Sequence, residues 1–124
     1  MIQLDYKSSV PICDQIVNGI IRLKALGILK NGSQLPSVRQ LAMQLSVNPN
    51  TIQKAYGILE TNGIVCSVKG KGSFVSDDTA AEQAVLDRAK ANFLEAVAKA
   101  RELGLTTDQL TELVQQSKEG VDAK

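Results

Sequence analysis

Residues 35–75, LPSVRQLAMQLSVNPNTIQKAYGILETNGIVCSVKGKGSFV, decide the fold. Within them Val38, Leu41, Ala42 and Leu45 recur at i, i+3, i+4 and i+7, the spacing that lays one apolar stripe along a helix. Ile52, Ala55, Tyr56 and Leu59 repeat the spacing. The opposite side of this second helix carries Asn50, Gln53, Lys54 and Gly57, all neutral or basic and none bulky. Two packed helices joined by a tight turn, the second with a free polar face, read as a helix-turn-helix. A strand, a Gly-rich turn and a second strand behind them make it a winged one.

Each helix start has its own signal. Ser37 with Gln40 three residues on fits a capping box. Asn48 precedes the second helix, and Pro49 stands at the first helical position, where its missing N–H costs nothing. Ser46-Val47-Asn48 is short enough to force a steep crossing. Gly63 suits a left-handed helix end. A strand over 64–68 would place Ile64, Cys66 and Val68 on one face, Lys69-Gly70-Lys71-Gly72 would turn, and Ser73-Phe74-Val75 would return.

Upstream, a helix is expected from about Val10 to Ala25-Leu26, ended by Gly27. Its stripe of Ile12, Cys13, Ile16, Val17, Ile20 and Ile21 is wider than one contact needs, so part should pack on the two reading helices and part elsewhere. Downstream, Ser76-Asp77-Asp78 reads as a hinge and Thr79-x-x-Glu82 as another capping box. A long helix then runs to about Leu103 with Leu86, Ala89, Phe93, Val97 and Ala100 as its stripe and Leu94 beside it. Gly104 ends it, Thr106 or Thr107 opens a shorter helix through Leu110, Leu113 and Val114, and a frayed tail is expected from Lys118 to Lys124.

Charge is distributed unevenly. The whole chain of 124 residues carries only +1. Residues 1–76 hold eight Lys or Arg against three acids, a net +5, whereas residues 77–124 hold six against ten, a net −4. A basic nucleic-acid-reading half joined to an acidic assembly half would look like this. There is no signal-peptide pattern and no apolar run of membrane-spanning length, so a cytoplasmic location is expected. Cys13 and Cys66 lie far apart, on a helix and a strand, and read as reduced core thiols, with a redox switch as the alternative. With no His and no clustered Cys or carboxylates, no metal site or cofactor is implied. An enzyme would need a nucleophile with a base, paired carboxylates or a metal, and none stands at recognisable spacing, so no catalytic residue is assigned.

LPSVRQLA, VNPNTIQKAY, the LE–G ending and GKGSFV, with PICDQIVNGI upstream, resemble the DNA-binding domain of GntR-type bacterial transcription regulators over roughly residues 4–76. The short region that follows is similar to that of the YtrA-type subgroup, whose C-terminal part is a pair of helices. The resemblance implies a mainly α fold with a small β-hairpin: a winged helix-turn-helix DNA-binding domain over 1–76 and a two-helix dimerisation region over 77–124. It also implies a dimeric repressor on a palindromic operator. Members of the subgroup often control their own operon, commonly one encoding an ABC transporter.

The expected DNA contacts divide by chemistry. Asn50, Thr51 and Gln53 would present amides and a methyl to base edges in the major groove, with Asn48 at the helix start and Lys54 on a phosphate. The alternative is that Asn50 and Gln53 form a solvated face. In GntR-type domains the Arg of LPS-x-R contacts DNA, and Arg39 occupies that position, where it could bind guanine with two parallel bonds. Ser37 is either a phosphate contact or only a helix cap. In the wing, Gly70 and Gly72 permit close approach while Lys69 and Lys71 supply charge. Ser73 stands where the family usually has Thr, and Pro49 and Gln53 stand where Arg can occur, so base preferences do not carry over. Two C-terminal helices cannot enclose their own stripes, so Leu86, Phe93, Val97, Leu110 and Leu113 are expected to meet a second subunit. A small-molecule effector between those helices is the runner-up. The competing function is a protein-interaction adaptor that keeps the winged domain as scaffold.

Overall fold

The computed structural model describes residues 2–122, with side chains as far as Ser117. Five helices and one hairpin follow in the order α1 (Ile12–Ala25), α2 (Val38–Leu45), α3 (Pro49–Thr61), β1 (Val65–Val68), β2 (Gly72–Val75), α4 (Thr79–Glu102) and α5 (Thr107–Asp122). The mainly α winged helix-turn-helix expected from the sequence is present. Packing divides the chain into two units, the first ending at Val85 and the second beginning at Leu86.

The core of the first unit is the shared apolar face of α1, α2 and α3 closed by the hairpin. Ile16, Ile52, Ala55, Leu59 and Ile64 are wholly buried, and Leu41, Ala42, Tyr56, Val65 and Val75 nearly so. α1 packs chiefly on α3, which also carries α2 and β1. Ile2 and Leu4 of the N-terminal segment complete the cover of the core. α1 starts two residues later than expected, because Gln15 holds the preceding segment in an extended path. Its Nε2 donates to the carbonyls of Asp5 (2.9 Å) and Val10 (2.8 Å), and its Oε1 accepts from the Asp5 N–H at 2.8 Å.

The expected caps are formed. Ser37 Oγ accepts from Gln40 N–H at 3.1 Å while Gln40 Oε1 accepts from Ser37 N–H at 2.9 Å. Asn48 Oδ1 accepts from Asn50 N–H at 2.8 Å. Between α2 and α3, Ser46 takes the left-handed conformation (φ 55°, ψ 47°), which turns the chain without glycine.

β1 and β2 pair antiparallel, with Val65 opposite Val75, Cys66 opposite Phe74, Ser67 opposite Ser73 and Val68 opposite Gly72. This corrects the expected inward face. The strand proper begins at Val65, and Val65 with Val75 points into the core, while Cys66 and Val68 are exposed. Ile64 is buried as the last link of the α3 end, its N–H bonded to the Leu59 carbonyl at 2.9 Å. The left-handed Gly63 just before it resets the alternation. Cys13 is a buried core thiol as expected, whereas Cys66 is exposed; both are free.

The Ser76–Asp78 loop is fastened rather than hinged. Ser76 N–H donates to the Ile64 carbonyl at 2.9 Å, and Ser76 Oγ accepts from Asp78 N–H at 3.0 Å. Asp78, not Thr79, caps α4, through a 3.0 Å bond from Ala81 N–H. Glu82 serves a different purpose: it pairs with Lys24 of α1 at 2.5 Å. Val85 packs on the core. Packing therefore keeps residues 76–85 with the first unit.

In the second unit Thr106 opens α5 with a capping box to Gln109, its N–H donating to Oε1 at 2.8 Å and its Oγ1 accepting from Gln109 N–H at 3.2 Å. No described residue of α4 is buried. Leu86, Val97, Ala100 and Leu110 are half-buried, and Phe93, Leu94, Leu113 and Val114 are exposed. The side chains of the expected frayed tail over 118–124 lie outside the described residues.

Candidate nucleic-acid interface

α3 is sharply two-sided. Its apolar stripe disappears into the core, and the residues between, Asn50, Gln53, Lys54 and Gly57, remain exposed. Thr51 is half-buried, because it turns towards the start of α1 and shares a shallow groove there with Pro11, Ile12, Cys13, Asn50 and Lys54. Asn48 is exposed, but its side-chain oxygen is engaged as the cap of α3. Arg39 is exposed in the first turn of α2.

Ser37 is a genuine cap. Its oxygen accepts the Gln40 N–H, which leaves the hydroxyl hydrogen available as a donor. The same residue lines an open groove with Gln34, Leu35, Pro36, Gln40, Lys71, Gly72 and Ser73. The fold therefore brings the start of α2 and the wing turn to one groove, although they are far apart in sequence. Lys69, Gly70, Lys71 and Gly72 are all exposed at the tip of the hairpin.

Two residues outside the expected set shape this surface. Gln34 adds a short third edge to the hairpin: it bridges Phe74, Leu35 N–H donates to the Ser73 carbonyl at 2.8 Å, and Val75 N–H donates to the Ser33 carbonyl at 2.8 Å. The Gln34 side chain then reaches the wing turn itself, Nε2 donating to the Lys71 carbonyl at 2.8 Å. Gly72, at φ 121°, lets this happen, since a Cβ there would lie 2.8 Å from Gln34 Nε2. Three paired residues are too few to show strand periodicity, so the sequence carries no signal for Gln34.

Tyr56 is the second. It was legible as an apolar stripe residue, but its hydroxyl also donates to the Pro36 carbonyl at 2.7 Å. That bond ties α3 to the turn that starts α2. Burial pushes the Tyr56 phenol up to about 12, because an ionised ring would lose its solvation there.

Residues 13–75, half of the chain, match the family described as bacterial regulatory proteins, gntR family. The chain belongs to the gntR family. It is accordingly a DNA-binding transcription regulator, and the GntR resemblance read from its motifs holds. The chain is similar to the HTH-type transcriptional repressor YtrA of Bacillus subtilis, 46% identical over 78 residues that cover 63% of this chain and 60% of YtrA. It thus spans less than two thirds of that relative. It is 37% identical over 116 residues to the HTH-type transcriptional regulator YhcF of the same organism, covering 93% of this chain and 96% of YhcF. Among solved structures it is similar to a GntR family transcriptional regulator from Listeria monocytogenes, with TM-score 0.72, 35% identity, and coverage of 90% and 98% of the two chains. The gntR-type half is also similar to the AraR DNA-binding domain in complex with operator ORE1, with TM-score 0.53, 29% identity, and coverage of 61% and 93%. Among the described residues, no helix of this gntR-family chain is long and apolar enough to cross a membrane.

Proposed function

We propose that the protein is a dimeric repressor that binds a palindromic operator. The observation that carries the reading is the division of α3: Ile52, Ala55 and Leu59 are 0% exposed while Asn50, Gln53 and Lys54 face solvent. Such a helix can enter the major groove without disturbing the core. Arg39, Asn50, Thr51 and Gln53 read base edges. Lys54, Ser37 and the start of α3 at Asn48 meet the backbone. The wing, through Lys69, Gly70, Lys71 and Gly72, follows the flanking phosphates. The name of the B. subtilis relative, a repressor, supports the sign of regulation, and the AraR domain on its operator supports the partner.

Dimerisation is assigned to the acidic half, through Leu86, Phe93, Val97, Leu110 and Leu113. Two helices with no buried residue in α4, and with Phe93 52% and Leu113 51% exposed, have apolar surface left to cover. A second copy of the same pair is self-complementary by symmetry.

Selection of bound sequences from random duplexes tests the operator, and binding over a salt series tests the mode. A palindromic site is expected, with binding that weakens steeply as salt rises. Replacing Lys69 and Lys71 together by Ala should weaken operator and random DNA by similar factors. It should also lower the salt slope by about 0.9 for each phosphate no longer neutralised. Unenriched or salt-indifferent binding would refute this reading and favour an adaptor.

A further inference from the structure

We propose that Gly57 is a notch in the polar face of α3, where the sugar–phosphate strand bordering the major groove lies directly against the helix backbone. The inference rests on α3 being the reading helix, as proposed above.

Gly57 stands inside α3, two turns beyond Asn50 and one turn beyond Gln53 and Lys54. At 3.6 residues per turn it falls at the centre of the exposed face those three make, roughly 10 Å along the axis from Asn50. The fold itself does not require glycine there. Its backbone is helical and not left-handed, and no described atom lies within 4 Å of the place a Cβ would take. The other glycines up to residue 104 either turn the chain at positive φ or, like Gly19, lie against a neighbour, Ile2. Inside a helix, glycine weakens the element relative to alanine, because more backbone freedom is lost on folding.

Two neighbours keep the notch open. Thr61, the next residue along the same line, folds its hydroxyl back onto the Gly57 carbonyl at 2.9 Å, so its side chain hugs the helix. Glu60 is drawn to one side, its carboxylate accepting from the Ser67 hydroxyl of β1. Its negative charge is thereby held towards the hairpin. Lys54, exposed one turn before the notch, offers its ammonium to a phosphate of the strand that the notch admits. Side chains carry an α-helix from a Cα radius of about 2.3 Å out to about 5–6 Å, so a bare position admits a strand roughly 3 Å closer. A helix seated that much deeper brings the short amides of Asn50 and Gln53 to the base edges. Gly57 thus acts on recognition through the side chain it lacks.

The experiment uses the full chain, a duplex recovered by selection with the wild-type protein, and the variants Gly57→Ala and Gly57→Leu. Both replacements are strong helix formers on an exposed face, so thermal unfolding should occur at or above the wild-type temperature. Affinity for the selected duplex should nevertheless fall, about threefold for Ala and about tenfold or more for Leu, as the added side chain lifts the helix. Stability that rises while binding falls is a result that a merely structural glycine does not give. Gln53→Ala, measured beside them, tests the reading helix itself and should weaken the selected duplex more than a random one. Wild-type or tighter binding by Gly57→Leu, with Gln53→Ala weakened, would overturn the notch and leave α3 as the reading helix. A lower unfolding temperature in both Gly57 variants would overturn it too, by showing that the fold needs the glycine. Binding unaffected by Gln53→Ala would instead overturn the reading-helix assignment, and the notch with it.

Discussion

Tyr56→Phe removes one oxygen and separates two effects that the structure places on it. The hydroxyl is buried and donates at 2.7 Å to the Pro36 carbonyl, one residue before the cap of α2. At neutral pH the variant loses that bond and leaves the carbonyl without it, which should cost about 1–2 kcal/mol of unfolding free energy. The second effect depends on pH. The phenol titrates at about 12 in the fold against 10.0 unperturbed, because burial disfavours the phenolate. Between those values the folded chain keeps a proton that the unfolded chain has released, so wild-type stability is fully present below pH 10 and falls as pH rises towards 12. Two units correspond to a ceiling of roughly 2–3 kcal/mol. Phe cannot ionise, and every other group that titrates in this range is common to both proteins. Urea unfolding followed by circular dichroism at pH 7, 9.5, 10.5 and 11.5 should therefore show the wild-type advantage shrinking, and the two curves converging or crossing, above pH 10. A gap between the proteins that stays constant with pH would refute the buried-phenol argument. Equal stabilities at pH 7 would refute the contribution of the Pro36 bond.

Arg39→Ala should lose about 1–3 kcal/mol of specific binding and relax preference at one base pair of each half-site; an equal loss on every sequence would make Arg39 a phosphate contact instead. Gly72→Ala should destabilise the wing by about 1–3 kcal/mol, since φ 121° and the Gln34 amide both oppose a Cβ there. Its amide exchange should rise in the hairpin and not in α3, and unchanged exchange would show that the turn adapts. Phe93→Asp should give a monomer in sedimentation, because it puts a charge in the proposed interface, and should weaken operator binding as the second half-site contact loses its effective concentration. A variant that stays dimeric would remove Phe93 from that interface.

Much of the candidate interface was legible because it is local. The stripe of Ile52, Ala55, Tyr56 and Leu59 and the polar residues between them share one helix, so 3.6-residue periodicity sorts them into inside and outside. The Ser37–Gln40 box, the Asn48 cap and the left-handed Gly63 are likewise written within four residues of where they act. The misreadings have physical causes too. Counting alternation from Ile64 put Cys66 inward, but the turn at Gly63 delays the strand by one residue, and in a period of two that reverses every side chain. Thr79-x-x-Glu82 matches a capping box, yet Asp78 one residue earlier takes the cap and Glu82 is drawn to a buried ammonium.

By itself, then, the sequence determined the helices, the caps of α2 and α3, the winged helix-turn-helix and the polar face of α3, since each depends on residues a turn or two apart. Only the tertiary structure decided that Gln34 holds the wing turn through Lys71, that Tyr56 ties α3 to Pro36, and that Lys24 fastens α4 through Glu82. These partners stand 37, 20 and 58 residues apart. No periodicity links residues at such separations. A polar side chain far along the chain becomes a partner only when packing of the apolar core brings it within hydrogen-bond reach.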